Sequence, residues 1–260
     1  MKVYSCSPFM NEYDLLDLKI SEESDLVDGI YIIESNQTLQ GHPKPLNLKK
    51  RRKRYKHPKV HLCFLEDKFT LKDHKGNDKI QKNSVLDFFE YEDDDVLICS
   101  DIDEINKKED IPYIVEQAQK HGLVKMKQHL FYYKINLRRS ARKGWKLAFA
   151  ITGKMLRKYG GNIIRLRKVR SVTIETNGKH FSYLMTPEMI AYKIANAGHP
   201  EYIKDRFLDT ELIQERIRNQ IDPFERTGAG EVIRLEKVEV DETYPATILN
   251  NLDYWSKHIA

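Results

Sequence analysis

Cysteine is scarce. Cys6, Cys63 and Cys99 are the only three in 260 residues, widely spaced, with no CxxC pair and no histidine at metal-ligand spacing. This excludes a disulfide scaffold or a thiolate zinc site, and three distant thiols read as reduced and buried. Glycine (12) and proline (9) are too few for a collagen-like or low-complexity chain. No window approaches the roughly 18 consecutive apolar residues of a membrane span, and nothing after Met1 has the charged-then-apolar layout of a secretory leader. A cytoplasmic location is the expectation. A chain of this length buries roughly 70% of its unfolded surface, so one large domain needs no staples.

Acid is missing from two places. Lys49 to Lys59 (KKRRKRYKHPK) holds 8 Lys or Arg and no Asp or Glu, and the 58 residues from Gln117 to Ile174 hold 16 Lys or Arg and again no acid. The other 191 residues then carry 20 bases against all 39 acids, so a net charge of +5 conceals a strong segregation. Short runs of one sign are often solvated faces. An acid-free stretch of 58 residues points instead to a surface for a phosphate-bearing or anionic ligand, because neutral surfaces are normally decorated with both signs.

Short apolar segments alternate with helical patterns. Val3 to Phe9, Val27 to Ile33 and Val96 to Cys99 read as strands rich in branched and aromatic residues. Tyr13 to Ile20 fits helix or strand by periodicity and is assigned as a helix capped by Asn11. Lys44 to Lys59 reads as a loop, Ile80 to Phe89 and Ile111 to His121 as helices, and His129 to Ile135 and Val169 to Ile174 as strands. Thr186 opens a helix as N-cap with Pro187 at its first position, and Asp209 to Ile221 follows with helical spacing. The alternation predicts an α/β fold with a mixed, mostly parallel central sheet flanked by helices.

Two of these strands end in acid: Glu34 after the second, and Asp101, Asp103 and Glu104 after the third. Ligands of open α/β sheets bind beyond the carboxyl ends of the strands. In an extended segment, residues two apart share a side, so Asp101 and Asp103 would converge on one cation. Two carboxylates suit Mg²⁺ or Mn²⁺, although acid-rich strand ends also serve as caps and turns.

The ordered pieces around these tips resemble glycosyltransferase family 17. They are the NEYDLL helix from Asn11, VDGIY from Val27, ESNQT from Glu34, GHPKPL from Gly41, Gln81-Lys82-Asn83, DDDVLICSDIDEI from Asp93, and GKHFSYLMTPE from Gly178. The resemblance implies a GT-A-like nucleotide-sugar-binding fold in one domain, 1–260, with a donor half at 1–120 and an acceptor half at 121–260. It also implies metal-dependent, inverting transfer from a UDP-sugar, N-acetylglucosamine being the family-based choice. Asp101, Asp103 and His180 would then hold Mn²⁺ or Mg²⁺ at the diphosphate. Asn11, Glu34, Lys44, Gln81, Lys82 and Asp101 would border the nucleotide-sugar, with capping the alternative for Asn11 and Glu34. Glu188 is the first choice for general base and Glu104 the second, although a first-turn Glu188 also answers the helix dipole.

No anchor is expected here, unlike in the family's membrane-held members, and the acceptor stays open: a glycan or other hydroxyl, an anionic acceptor, or a modified base of nucleic acid. The acid-free stretch, with Arg138, Arg139, Arg142 and Lys143, would form the acceptor wall. Two other classes compete. A non-catalytic nucleic-acid-binding protein would have to present Phe131, Tyr132 and Tyr133 from one strand, where every other ring turns inward. A two-metal phosphohydrolase wants more carboxylates than the Asp101 block supplies.

Overall fold

The computed structural model describes residues 1–140 and 144–260. Along the chain run β1 (Val3–Phe9), α1 (Tyr13–Glu23), β2 (Gly29–Ser35), α2 (Asn47–Arg51), β3 (Val60–Leu65), α3 (His74–Asn83), β4 (Val96–Cys99), β5 (Glu104–Ile105), α4 (Ile111–His121) and β6 (Leu123–Tyr132). There follow β7 (Leu137–Arg139), β8 (Phe149–Thr152), α5 (Gly153–Lys158), α6 (Ile163–Leu166), β9 (Val172–Ser182), α7 (Pro187–Asn196), α8 (Asp205–Leu208), α9 (Thr210–Arg218), the hairpin of β10 (Thr227–Gly228) and β11 (Glu231–Val232), and β12 (Leu235–Lys237).

Side-chain alternation explains the layering. Along β2, Ile30 and Ile32 pack on one face with Leu16 of α1, Leu48 of α2 and Ile114 of α4. Tyr31 and Ile33 pack on the other face with Val85, Leu156 of α5 and Ile163 of α6. β4 divides the same way, with Val96 and Ile98 on the first face and Leu97 and Cys99 on the second. Strands covered on both faces lose polar alternation, which is why they stand out in the sequence as continuous apolar runs. All three cysteines are free and buried.

The main sheet runs β12-β7-β6-β8-β4-β1-β2-β3, with β9 beside β6 and β5 beside β9. β3, β2, β1 and β4 are mutually parallel, and β8 lies antiparallel between β4 and β6. Following the pairings, seven of the ten strands point one way, so the expected mixed, mostly parallel sheet is what the chain forms. One sheet therefore takes strands from both halves of the sequence. Among the described residues no helix is long and apolar enough to cross a membrane.

Local differences have physical causes. α1 begins after Glu12, not Asn11: the Glu12 carboxylate accepts from the backbone N–H groups of Met10 and Asn11 and so shapes the turn before the helix. The basic loop expected at 44–59 contains the one-turn α2, held by buried Leu48. The strand expected at 129–135 starts earlier, as β6, and the one at 169–174 continues as the long β9, which delivers His180 to the sheet end. Thr186 caps α7 as expected; Asp209, expected as the first residue of a helix to Ile221, instead caps α9, which ends at Arg218, and each side chain accepts from the first turn.

Candidate functional site

β1 and β4 end side by side, so Ser7, Pro8, Ser100 and Asp101 share one edge of the sheet. With Lys82, Val85, Ile163 and Arg167 they line a cleft floored by Cys6, Cys99 and Phe149. Ser7 Oγ is buried without a hydrogen-bond partner among the described residues. Ser100 Oγ accepts from Lys19 Nζ (2.8 Å), an ammonium fully buried beside Glu23, so the serine's own proton is free to donate.

The Gln81-Lys82-Asn83 triplet builds the opposite wall. Gln81 donates to the Ile33 carbonyl at 3.2 Å, and Asn83 accepts from the Ile163 N–H at 3.0 Å, which ties α3 to α6. Lys82 between them faces Asp101 at 2.9 Å, with Asp78 at 3.0 Å on the previous turn. Arg167, directly after α6, grips Asp101 through both oxygens at 2.8 and 2.9 Å and also reaches Glu104 at 3.2 Å. Burial opposes the charge on Asp101, but Arg167 and Lys82 outweigh it and hold its carboxyl well below the usual range. Arg167 is the central residue that sequence reasoning missed. A buried acidic strand tip requires a cation, but no spacing rule shows which of the 16 in the acid-free stretch supplies it.

Asp103 goes elsewhere. The Glu104 N–H donates to the Asp101 carbonyl at 2.9 Å, closing a turn where an extended segment was expected, and Ile102 drops into the core. The side-sharing argument fails in a turn, and the two aspartates acquire different partners. Asp103 pairs with Lys193 of α7 at 3.0 Å and with His180 Nε2 at 3.3 Å. Burial opposes charge here too, but Lys193 and His180 depress the Asp103 carboxyl, and Asp103 in turn raises the His180 imidazole against its desolvation. His180 lies against Trp145, ring centroids 4.4 Å apart, with its Nδ1 buried and unpartnered among the described residues.

The expected Mg²⁺ or Mn²⁺ does not fit this donor set. Both oxygens of Asp101 and both of Asp103 are engaged by Lys, Arg or His, and among the described residues no three His, Cys, Asp or Glu are arranged to hold a cation.

Other expected site residues are spent on structure. Glu34 is fully buried, and its oxygens accept from Lys44 Nζ (2.8 Å) and from the first N–H groups of α2, Asn47 (2.7 Å) and Leu48 (2.8 Å). Glu34 and Lys44 therefore fasten the 44–48 segment, and neither lines the cleft at the β1 and β4 ends. Glu104 is buried, with one oxygen accepting from Trp145 Nε1 and the other from the Asp101 N–H at 2.7 Å. Burial raises its pKa, but a general base needs an open oxygen, and Glu104 has none. Glu188 stands exposed in the first turn of α7, where the helix N-terminus and Thr186 lower its pKa, and it lines neither cleft.

A second, wider cleft lies beyond Glu12, between the start of α1, Tyr133 and Lys134 after β6, the Leu184–Met189 segment, and α9. Asn11 lines it, with both amide atoms buried and unpartnered among the described residues. Lys134, Arg218, Lys257 and His258 also line it, and His258 Nε2 meets Asp14 at 2.8 Å. The acid-free stretch is no continuous wall. Arg138 pairs with Glu236 (2.8 Å), Arg139 with Asp222 (3.3 Å), Arg157 with Asp93 (2.6 Å) and Lys127 with Glu175 (2.9 Å). Arg142 and Lys143 lie outside the described residues.

A parallel β3-β2-β1-β4 order with polar loops at its carboxyl ends is the layout of nucleotide-binding α/β enzymes. The chain belongs to glycosyltransferase family 17, whose family model matches residues 1–226, and it is a glycosyltransferase. No curated protein matches the sequence. Among solved structures, S. aureus TarS 1–349 resembles it with a TM-score of 0.45 and 13% identity over 84% of this chain and 74% of that one. The same fragment in complex with UDP-GlcNAc gives 0.44 and 12% over 84% and 73%. A 4-diphosphocytidyl-2C-methyl-D-erythritol synthase gives 0.42 and 14% over 67% and 89%.

Proposed function

We propose that this glycosyltransferase takes its sugar from a UDP-sugar, with UDP-N-acetylglucosamine the first choice, and transfers it with inversion to a hydroxyl acceptor. The observation that carries the reading is the cleft at the β1 and β4 carboxyl ends of a family 17 chain, where Ser7, Ser100 and Lys82 offer hydrogen-bond donors and positive charge to a diphosphate. In such a transfer the acceptor hydroxyl gives its proton to a base and its oxygen attacks the anomeric carbon. The bond from that carbon to the phosphate oxygen breaks on the opposite face, and its electron pair leaves with UDP. Charge accumulates on the leaving diphosphate, so fixed positive groups beside it lower the barrier more than they tighten the ground state.

The acceptor enters by the second cleft. Its rim cations Lys134, Arg218 and Lys257 suit an acceptor bearing carboxylate or phosphate, and the apolar Tyr133, Leu184 and Met189 suit the face of a sugar ring or a lipid carrier. Divalent-cation dependence was the expectation from Asp101 and Asp103, but their ion pairs give it no ligand set, and no step is assigned to a metal.

The test is a panel of nucleotide-sugars incubated with the protein, scored for nucleotide release with and without Mn²⁺ and chelator. Release of UDP from UDP-N-acetylglucosamine above the no-enzyme rate is expected. Turnover confined to guanosine or cytidine sugars, or none with any donor, would overturn the reading.

A further inference from the structure

We infer that Lys82 and Arg167 together bind the donor diphosphate in the role expected of a divalent cation, and that Asp101 occupies the diphosphate's place when no donor is bound. The inference rests on the UDP-sugar reading above and deepens it.

Three observations lead to it. First, Asp101 sits between the two cations as an anion would: its Oδ1 is shared by Lys82 (2.9 Å) and Arg167 (2.8 Å), and its Oδ2 takes the second guanidinium nitrogen at 2.9 Å. A two-oxygen fork on arginine with a lysine on one oxygen is also how a phosphate is held. Second, this carboxylate stays partly open, its side chain 28% exposed, whereas the Arg167 side chain is 10% exposed and its neighbour Glu104 fully buried. The fixed partners are the cations and Glu104; Asp101 is the one that can swing away. Third, two hydroxyls border the cleft with donor capacity in hand: Ser7 Oγ has no partner among the described residues, and Ser100 Oγ is occupied only as an acceptor.

The cations are held in place independently of Asp101. Arg167 keeps Glu104, and Lys82 keeps Asp78 at 3.0 Å. Asn83 ties the two helices that carry them. If Asp101 turned out, two positive charges and two hydroxyls would remain around one vacated anion position. A cation pair needs no metal to neutralise the charge that develops on the departing UDP, and Asp101 would limit binding of other anions when donor is scarce.

Because Asp101 competes with the ligand here but would bind a cation in the metal reading, the two accounts predict opposite signs for one substitution. The experiment is calorimetric titration of the full chain with UDP, uridine and inorganic pyrophosphate, in chelator and again in Mn²⁺. We expect UDP and pyrophosphate to bind in chelator, with uridine at least about tenfold weaker than UDP. Lys82→Gln should weaken UDP and pyrophosphate about tenfold while leaving uridine unchanged, and Asp101→Asn should tighten both phosphates about threefold or more. Circular dichroism of both variants establishes that they are folded. Binding of UDP only in Mn²⁺, together with its loss in a folded Asp101→Asn, would overturn the inference and leave the UDP-sugar reading standing. Failure of every nucleotide to bind under either condition would overturn the UDP-sugar reading itself.

Discussion

The two acid-free stretches behave in opposite ways. In 49–59 the cations stay at the surface: Lys50, Arg51, Arg52, Lys53, Arg54 and Lys56 are all exposed, and Tyr55 is the buried residue that anchors them. Two ion pairs are formed there, Lys49 with Glu66 and Arg54 with Asp17, both between exposed or half-exposed groups that add little stability. The 117–174 stretch instead threads β6, β7 and β8 through the sheet and places α5 and α6 against it. Its cations meet acids from distant parts of the chain: Asp93, Asp101, Glu104, Asp222 and Glu236. The comparison teaches that a one-signed run short enough to lie on one face remains a field, whereas one long enough to cross the fold is neutralised in part, through Lys127, Arg138, Arg139, Arg157 and Arg167. Arg138 and Arg139, expected in an acceptor wall, are among the paired cations, while the stretch gives Arg167 to the first cleft and Lys134 to the second.

The contrast makes graded predictions. The largest effect belongs to Arg167→Ala, which strands Asp101 and Glu104 in a buried cluster. Leaving buried charge uncompensated costs about 3–5 kcal/mol, and chemical denaturation should register that loss. A loss below about 1 kcal/mol would mean that Arg167 is no more embedded than the 49–59 cations.

Next comes a buried cation without a carboxylate. Lys179 donates to the Asn177 and Thr243 carbonyls and to Thr243 Oγ1, and burial, its main perturbation, pushes its pKa down to about 8 despite Asp241. A depressed lysine binds fewer protons folded than unfolded, so this residue makes stability rise with pH from about 8 to about 10.4, by at most about 3 kcal/mol. Lys179→Met should remove that rise in denaturation midpoints taken across the window. An unchanged slope would show that carbonyls neutralise a buried ammonium as well as carboxylates do.

Asp222→Asn is smaller. The fully buried Asp222 serves both Arg139 and Arg226, and the amide keeps part of that hydrogen bonding, so a loss of about 2 kcal/mol is expected. Smallest is the combined change of Lys50, Arg52, Lys53 and Lys56 to Gln, which should move stability by less than about 0.5 kcal/mol and leave turnover of the donor unchanged. A tenfold fall in that turnover would give the 49–59 run a part in the reaction that its exposure argues against.

What the sequence disclosed follows the same division between local and distant. β1, β2 and β4 were legible because both faces are covered, α7 because its cap is a single-residue signal, and α9 because its apolar residues keep helical spacing. β8, Phe149–Thr152, escaped although it is as short and as buried as β4. At the site, Lys82 and the acidic tip were legible from ordered motifs. The pairing of Asp101 with a residue 66 positions away and of Asp103 with one 90 positions away was not, because each depends on where two helices dock. Glu34 takes the capping role that stood as its alternative, since the helix that follows closes over the strand tip.

The central claim, that the β1 and β4 ends receive the donor, is tested most directly by a crystal structure of the protein soaked with UDP. The account expects the diphosphate within hydrogen-bonding distance of Lys82 and Arg167, with Ser7 or Ser100 donating to it and the Asp101 carboxylate displaced. UDP seated instead in the cleft of Tyr13, Tyr133 and Arg218, with Asp101 still clamped by Arg167, would contradict it.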